Sequence, residues 1–243
     1  MSLRDKTVVI TGGGTGIGAG IAKALAAEGC RLLLVGRRLE PLEATRAACG
    51  ADDRVECLAA DVTDRDAVGR LFESVKEKWG RLDILVHAAG INIRTRSMGE
   101  MQPEQWDQVL QVNATGAYNC FFHALPIMRS QQDGLIISIS SISGKRALTL
   151  GGVAYCASKF AMAALGTTVG NEEAKNGIRV TTIYPGEVNT PILDQRPVPV
   201  PDERKAQMVQ PDDIGAVVAT IARLPQAAHV PELIIKPLYQ EYV

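Results

Sequence analysis

The sequence predicts a doubly wound α/β domain, a parallel sheet carrying helices on both faces. Three observations point there. Short apolar or β-branched runs alternate with helical stretches from Thr7 to Ile235. The first of these runs ends in a glycine-rich turn that opens a helix. The 243 residues, 46% of them hydrophobic, contain no repeat, low-complexity segment or interdomain linker, so a single domain over 1–243 is expected.

Thr7–Thr11 is a β-branched run closed by glycines and reads as a buried parallel strand. Gly12-Gly13-Gly14-Thr15-Gly16-Ile17-Gly18 follows, then a helix from Ala19 to Ala27. Strand, glycine turn and helix together make a phosphate cradle. Glycine lets the backbone approach a pyrophosphate, and a helix N-terminus offers free N–H groups. The second strand, Arg31–Val35, ends at Gly36-Arg37-Arg38. An acid at this place would hold a ribose 2′-hydroxyl, whereas arginine without the acid suits a 2′-phosphate. No acid occurs there before Glu40, so the cofactor reads as NADP(H), with Arg37 and Arg38 on the phosphate.

Helix Leu39–Ala48, strand Val55–Ala60, helix Arg65–Trp79 and strand Leu82–His87 continue the alternation. Asp61-Val62 closes the third strand, where a side chain and a backbone group suit an adenine edge. Asp61 equally suits capping the helix that follows. His87-Ala88-Ala89-Gly90 ends the fourth strand in small residues that let a cofactor lie across the strand ends. A long helix from Pro103 to about Met128 carries an apolar stripe of Trp106, Val109, Leu110, Ala117, Phe121 and Ala124, interrupted at Asn113. Strand Leu135–Ser140 leads into Ser141-Ile142-Ser143-Gly144, whose serines are turn formers or hydroxyls displayed at the strand ends.

A helix from Tyr155 to about Lys175 follows, its spacing marked by Ala157, Ala161, Ala164, Leu165 and Val169. Strand Ile178–Tyr184 runs into Pro185-Gly186-Glu187-Val188-Asn189-Thr190. The stretch Pro191–Pro211 holds five prolines and no helical or strand pattern, so a substrate loop is expected at about 190–211. Helix Asp212–Arg223 and strand Glu232–Ile235 complete the chain.

Bulk properties exclude several classes. With 26 Lys+Arg against 27 Asp+Glu, neither nucleic acid nor a membrane surface is favoured as a partner. Five cysteines without CxxC spacing read as reduced thiols, with no disulfide framework and no metal site. Polar Ser2–Lys6 runs straight into the first strand and no apolar run approaches the ~20 residues of a membrane span, so a soluble cytoplasmic protein is expected.

The chemistry-bearing pair is Tyr155 and Lys159, four residues apart and hence on one helix face. A free tyrosine titrates near ~10, and a nearby cation lowers that by stabilising phenolate, which makes the pair a general acid/base. The plain alternative is a surface tyrosine beside a solvated lysine.

Thr11-Gly12-xxx-Gly16-Ile17-Gly18, Asp61, Ala89-Gly90, Asn113, Ser141, Tyr155-xxx-Lys159 and Pro185-Gly186 occur in one order. In these motifs the chain resembles the short-chain dehydrogenase/reductase family over nearly its whole length. The resemblance implies a seven-stranded Rossmann-like sheet in one domain, assembled as a homotetramer or homodimer through the long helices. It implies that Tyr155 is the acid/base and that Lys159 binds the ribose hydroxyls and lowers the tyrosine pKa. Ser141 would meet the substrate carbonyl and Asn113 would hold a relay water. Ser141 stands three before Gly144, as in the family pattern, with Ser140 and Ser143 as register alternatives. The implied cofactor contacts are Gly12, Gly14, Thr15, Gly16, Ile17, Gly18, Arg37, Arg38, Asp61, Val62, His87, Ala88, Ala89, Gly90, Tyr155, Lys159, Pro185, Gly186, Val188 and Thr190.

Two departures stand out. His87-Ala88 replaces the family's Asn-Asn, and His87 is expected to hydrogen-bond neighbouring backbone in place of a structural asparagine. The tail Val230–Leu238 lacks the glycine-rich ending of many members and looks like the branch of NADP-dependent dehydrogenases of small hydroxy acids.

The expected activity is NADP(H)-dependent interconversion of a secondary alcohol and a carbonyl on a small or medium substrate. Alternatives are a 3-oxoacyl thioester reductase or 3-hydroxy acid dehydrogenase of the same family, and a non-catalytic NADP-binding regulator. Arg94, Arg96, Lys145 and Arg146 follow strands four and five and read first as solvated loop residues or subunit contacts, second as a cationic mouth for a carboxylate. Leu148, Leu150, Ile192 and Leu193 suggest a partly apolar pocket.

Overall fold

A computed structural model describes residues 1–50 and 53–241; positions 51, 52, 242 and 243 of the expected domain lie outside the described residues. The strands are β1 (Thr7–Thr11), β2 (Arg31–Gly36), β3 (Val55–Ala59), β4 (Ile84–His87), β5 (Gly134–Ile139), β6 (Ile178–Pro185) and β7 (Glu232–Ile235). The helices are α1 (Gly16–Ala27), α2 (Leu39–Ala48), α3 (Arg65–Trp79), α4 (Pro103–Leu110), α5 (Gly116–Gln131), α6 (Val153–Glu173), α7 (Asp202–Gln207) and α8 (Pro211–Arg223). The seven strands form one parallel sheet in the order β3-β2-β1-β4-β5-β6-β7, the predicted Rossmann-like single domain. Winding reverses between β1 and β4, so a crevice opens at the carboxyl ends of those two strands. No helix among the described residues is long and apolar enough to cross a membrane.

Alternation along the strands builds two cores. Val8, Ile10, Leu32 and Leu34 pack with α1, α2 and α8 through Ile21, Leu25, Leu42, Ile214 and Val218. Val9, Leu33, Leu85 and Ile136 pack on the other face with Phe72, Phe121 and Met128 of α3 and α5. Helices α1 and α8 cross at Gly20 and Gly215. A Cβ on Gly20 would strike the Pro211 main chain, and one on Gly215 would strike the Gly20 carbonyl.

Three expectations change. The single helix Pro103–Met128 is divided: α4 and α5 are joined by a π turn, Gln111–Thr115. The turn sits where Gly116 abuts Val62, whose Cγ2 would be 2.6 Å from any Cβ there. It carries Asn113 into the interior, fully buried, while Trp106 of the expected stripe is 38% exposed. On α6 the buried face is Ala154, Ser158, Met162, Gly166 and Gly170, whereas Ala161 and Ala164 are exposed. Gly166 and Gly170 let the helix lie directly on Thr182 and Val180 of β6. The stretch Pro191–Pro211 is more ordered than its prolines suggest, with a 3₁₀ turn at Pro191–Gln195 and then α7.

Candidate active site

The glycine turn after β1 is built so that only glycine fits. Gly12 has φ +67°, and a Cβ there would lie 2.7 Å from the Ala89 nitrogen. Gly16 has φ +52° and touches Thr190, so the segment after β6 folds over the start of α1. A Cβ on Gly18 would collide with the Gly12 carbonyl. Thr15 precedes α1 without capping it through its side chain, which suits an anion at that helix N-terminus.

From this cradle a cleft of about 630 Å³ runs past Ala88–Gly90 to Ser141, Tyr155 and Lys159, roofed by Pro185, Gly186, Val188 and Thr190. A side recess of about 150 Å³ shares Gly12, Thr15, Ala89 and Gly90 with it and is lined by Gly14, Arg37, Arg38, Asp61 and Val62. The two together hold every expected cofactor contact except His87. The fit is good: a glycine-only cradle, a basic recess and small residues across the strand ends match a phosphorylated dinucleotide.

His87 is a correction. It lies fully buried beneath the crevice, its Nδ1 3.0 Å from Thr11 Oγ1, a side-chain partner rather than the expected backbone. Its Nε2 and the Oγ of Ser138, its registered neighbour on β5, have no partner. Burial pushes the imidazole down to about 3, so it is neutral and no acid/base at ordinary pH. For Asp61, which lines the side recess, only the alternative of capping the next helix is corrected. It accepts from Thr63 N and Oγ1 at 2.9 and 2.8 Å, and Asp64 is the residue that caps α3, accepting from Ala67 N.

Ser141, Tyr155 and Lys159 meet at one end of the cleft, because a 3₁₀ turn at Ile142–Gly144 packs against α6. Ser141 Oγ accepts from Ser143 N at 3.1 Å, which fixes its direction. Ser140 instead donates to the Lys159 carbonyl at 3.0 Å and braces α6. Burial pushes the Tyr155 phenol up; the Ser141 hydroxyl and the Arg96 guanidinium act against that. Lys159 is not among the groups lowering it, contrary to expectation. Its Nζ lies 5.5 Å from the Tyr155 ring centroid and donates to the Ile139 carbonyl at 2.9 Å. Burial pushes the ammonium down to about 7, so its charge is half lost near neutrality.

Asn113 stands behind the cleft rather than in it. Its Oδ1 accepts from Ile91 N at 2.8 Å, and its Nδ2 donates to the Ile91 carbonyl and to Ser158 Oγ at 3.0 and 2.9 Å. The side chain therefore pins the segment after β4 to α6.

Of the four loop cations, only Arg96 lines the cleft. Arg94 is exposed and donates to the Asp194 carbonyl at 3.1 Å; Lys145 pairs with Glu232 and lies 4.7 Å from the Tyr184 ring centroid. Arg146 is exposed beside the Lys145 carbonyl. Sequence reasoning missed Glu187. This buried carboxylate gathers Arg196, Arg204 and the Tyr239 hydroxyl, tying the 3₁₀ turn, α7 and the tail together at the mouth. An acid flanked by Pro185-Gly186 gave no signal of three partners up to 52 residues away.

A profile of the short chain dehydrogenase family matches residues 6–198. The chain belongs to that family. This short-chain dehydrogenase is 35% identical over 240 residues to an uncharacterised oxidoreductase of Staphylococcus saprophyticus, covering 98% of this chain and 100% of that one. Among solved structures it resembles an alcohol dehydrogenase from the archaeon Thermococcus sibiricus complexed with 5-hydroxy-NADP, with a TM-score of 0.87 and 28% identity over 99% of this chain and 100% of that one. A metagenomic short-chain oxidoreductase in complex with NADP gives a TM-score of 0.84 and 31% identity, with 99% and 100% covered.

Proposed function

We propose that this short-chain dehydrogenase interconverts a secondary alcohol and a carbonyl on a small or medium substrate, using NADP(H). The observation that carries the reading is the convergence of Ser141, Tyr155 and Lys159 on a cleft continuous with the glycine cradle. The cradle and the residues across the strand ends would hold a nicotinamide dinucleotide, which would supply or accept the hydride. Tyr155 gives its hydroxyl proton to the substrate oxygen, or takes it back in the oxidative direction. Ser141 donates a hydrogen bond to the same oxygen as charge develops on it. Lys159 binds the ribose hydroxyls, and Asn113 holds the segment after β4 against α6, with a relay water as its further role. The NADP named in the neighbouring structures supports the cofactor, and the segment of about 190–211 serves as the substrate loop. Turnover of NADPH over a panel of keto acids, diketones, aldehydes and thioester-linked ketones tests this; no turnover with any of them would leave a cofactor-binding regulator in its place.

Cofactor choice rests on Arg37, with Arg38 assisting, both exposed in the side recess where Gly36 offers no acid. A charge-assisted hydrogen bond to phosphate is worth ~1.5–3 kcal/mol, so Arg37→Ala is expected to reduce the NADPH preference in kcat/KM roughly 10–100-fold. An unmodified enzyme that uses NADH equally well refutes the assignment.

Self-association is assigned to the outer face of α5 and α6, where Tyr118, Phe122 and Phe160 are 44%, 52% and 43% exposed. Light scattering is expected to report a dimer or tetramer; a monomer at micromolar concentration rules it out.

A further inference from the structure

Of the four cations offered as a mouth for a carboxylate, Arg96 is the one that lines the cleft. It is 9% exposed, and a guanidinium so far from water is ordinarily matched by a carboxylate. Its three partners are carbonyl oxygens. Nε donates to Ile93, Nη1 to Leu150 and Nη2 to Gln195, at 2.9, 2.7 and 2.5 Å. No Asp or Glu among the described residues stands within ion-pair distance of it. Arg196 lines the same cleft and makes the contrast plain, since Glu187 neutralises it at 2.8 Å. The charges facing Arg96 are that second arginine, which opposes it, and the Tyr155 phenol, which favours it.

A guanidinium carries five N–H donors in a planar fork, and three are engaged. Two donors and an uncompensated positive charge therefore remain on a residue that shares its cleft with Tyr155 and Ser141. Leu148, Leu150 and Ile192 line the same end of the cleft with apolar surface. A short aliphatic chain ending in a planar, two-oxygen anion matches both features.

We propose that Arg96 is the specificity-determining residue of this enzyme and binds the carboxylate of a short oxo or hydroxy acid whose reacting carbon lies at Tyr155 and Ser141. This rests on the function proposed above and names its substrate class. The carboxylate supplies the counterion that the protein withholds. The three carbonyls hold the fork in place beforehand, so little side-chain freedom is lost on binding. The other loop cations take no part.

Calorimetric titration of the NADP⁺-loaded protein with butyrate and with butyramide, equal in size and different in charge, tests it. Butyrate is expected to bind roughly 10–100-fold more tightly, and Arg96→Met to erase the difference. Equal affinities in the unmodified protein overturn the proposal, as does a preference that survives in Arg96→Met. The second readout is kcat/KM for short keto acids against their methyl esters. Arg96→Met lowers the acid-to-ester ratio if the guanidinium meets the carboxylate; an unchanged ratio, with both values lowered alike, reduces Arg96 to a tie between loops and ends the proposal. If Arg96→Met does not fold, the ratios of the unmodified protein decide. An NADPH titration comes first. Failure there sinks the cofactor reading, and the butyrate–butyramide comparison on cofactor-free protein still decides Arg96.

Discussion

Tyr155→Phe is expected to lower kcat/KM roughly 10²–10⁴-fold, at least ~3 kcal/mol of transition-state stabilisation, while NADPH affinity stays within a few fold. The change deletes one oxygen and keeps the ring, so the packing of α6 is undisturbed. On the proposed reading, what is lost is the only proton that Tyr155 brings to the reacting oxygen. Ser141 stays fixed by Ser143 N and still polarises a carbonyl, which accounts for residual activity at the low end. Burial raises the phenol and Ser141 and Arg96 pull it back, so Ser141→Ala is expected to shift the pH profile of the remaining activity upward. Near wild-type turnover by the phenylalanine variant is the result that would remove Tyr155 from the mechanism.

Lys159→Met is expected to abolish most turnover and yet to stabilise the cofactor-free fold. Lys159 is 4% exposed, with one carbonyl and the Met162 sulfur as its partners. Its folded pKa is about 7 against an ordinary 10.5. Between those two values the unfolded chain holds more protons than the native one, so wild-type stability climbs as pH rises from about 7 toward 10.5. Below 7 the whole cost of the buried ammonium is present. Methionine removes that cost, and a gain on the order of 1–3 kcal/mol is expected at pH 6, shrinking as the pH approaches that of a free lysine. Thermal unfolding of both proteins across pH 6–10 checks this; a stability gap that does not change with pH excludes a buried ammonium as its source. On the proposed reading the lysine trades stability for function.

The strands and the cofactor cradle were legible because their signals are local. Thr7–Thr11, the glycine turn and the arginines after β2 each declare themselves within a few residues. Tyr155 and Lys159 were legible because a helix places residues four apart on one face. The π turn was not, since one inserted residue leaves the apolar pattern of Pro103–Met128 nearly unchanged on both sides. The helix α6 was legible from its spacing, but its buried face was not, for a different reason. Alanines occur all round that helix, and its contact with β6 is made by Gly166 and Gly170, which carry no hydropathy signal. Glu187 was hidden most completely, and Arg96 was legible as a cation near the site but not as a buried one. Their burial depends on carbonyls and side chains up to 99 residues distant that meet only in the folded chain.

The way the 3₁₀ turn after β6 is fastened bears on how this short-chain dehydrogenase can diversify. Arg94 and Arg96 grip it by the carbonyls of Asp194 and Gln195. Every amino acid has such a carbonyl, so these anchors are indifferent to the side chains they hold. Replacing Ile192 or Gln195, both of which line the cleft, changes its wall and leaves both fastenings intact. The wall of the cleft is an exchangeable panel on a permanent hinge-pin, and selection for a new substrate finds its first steps there, without passing through a loosened protein.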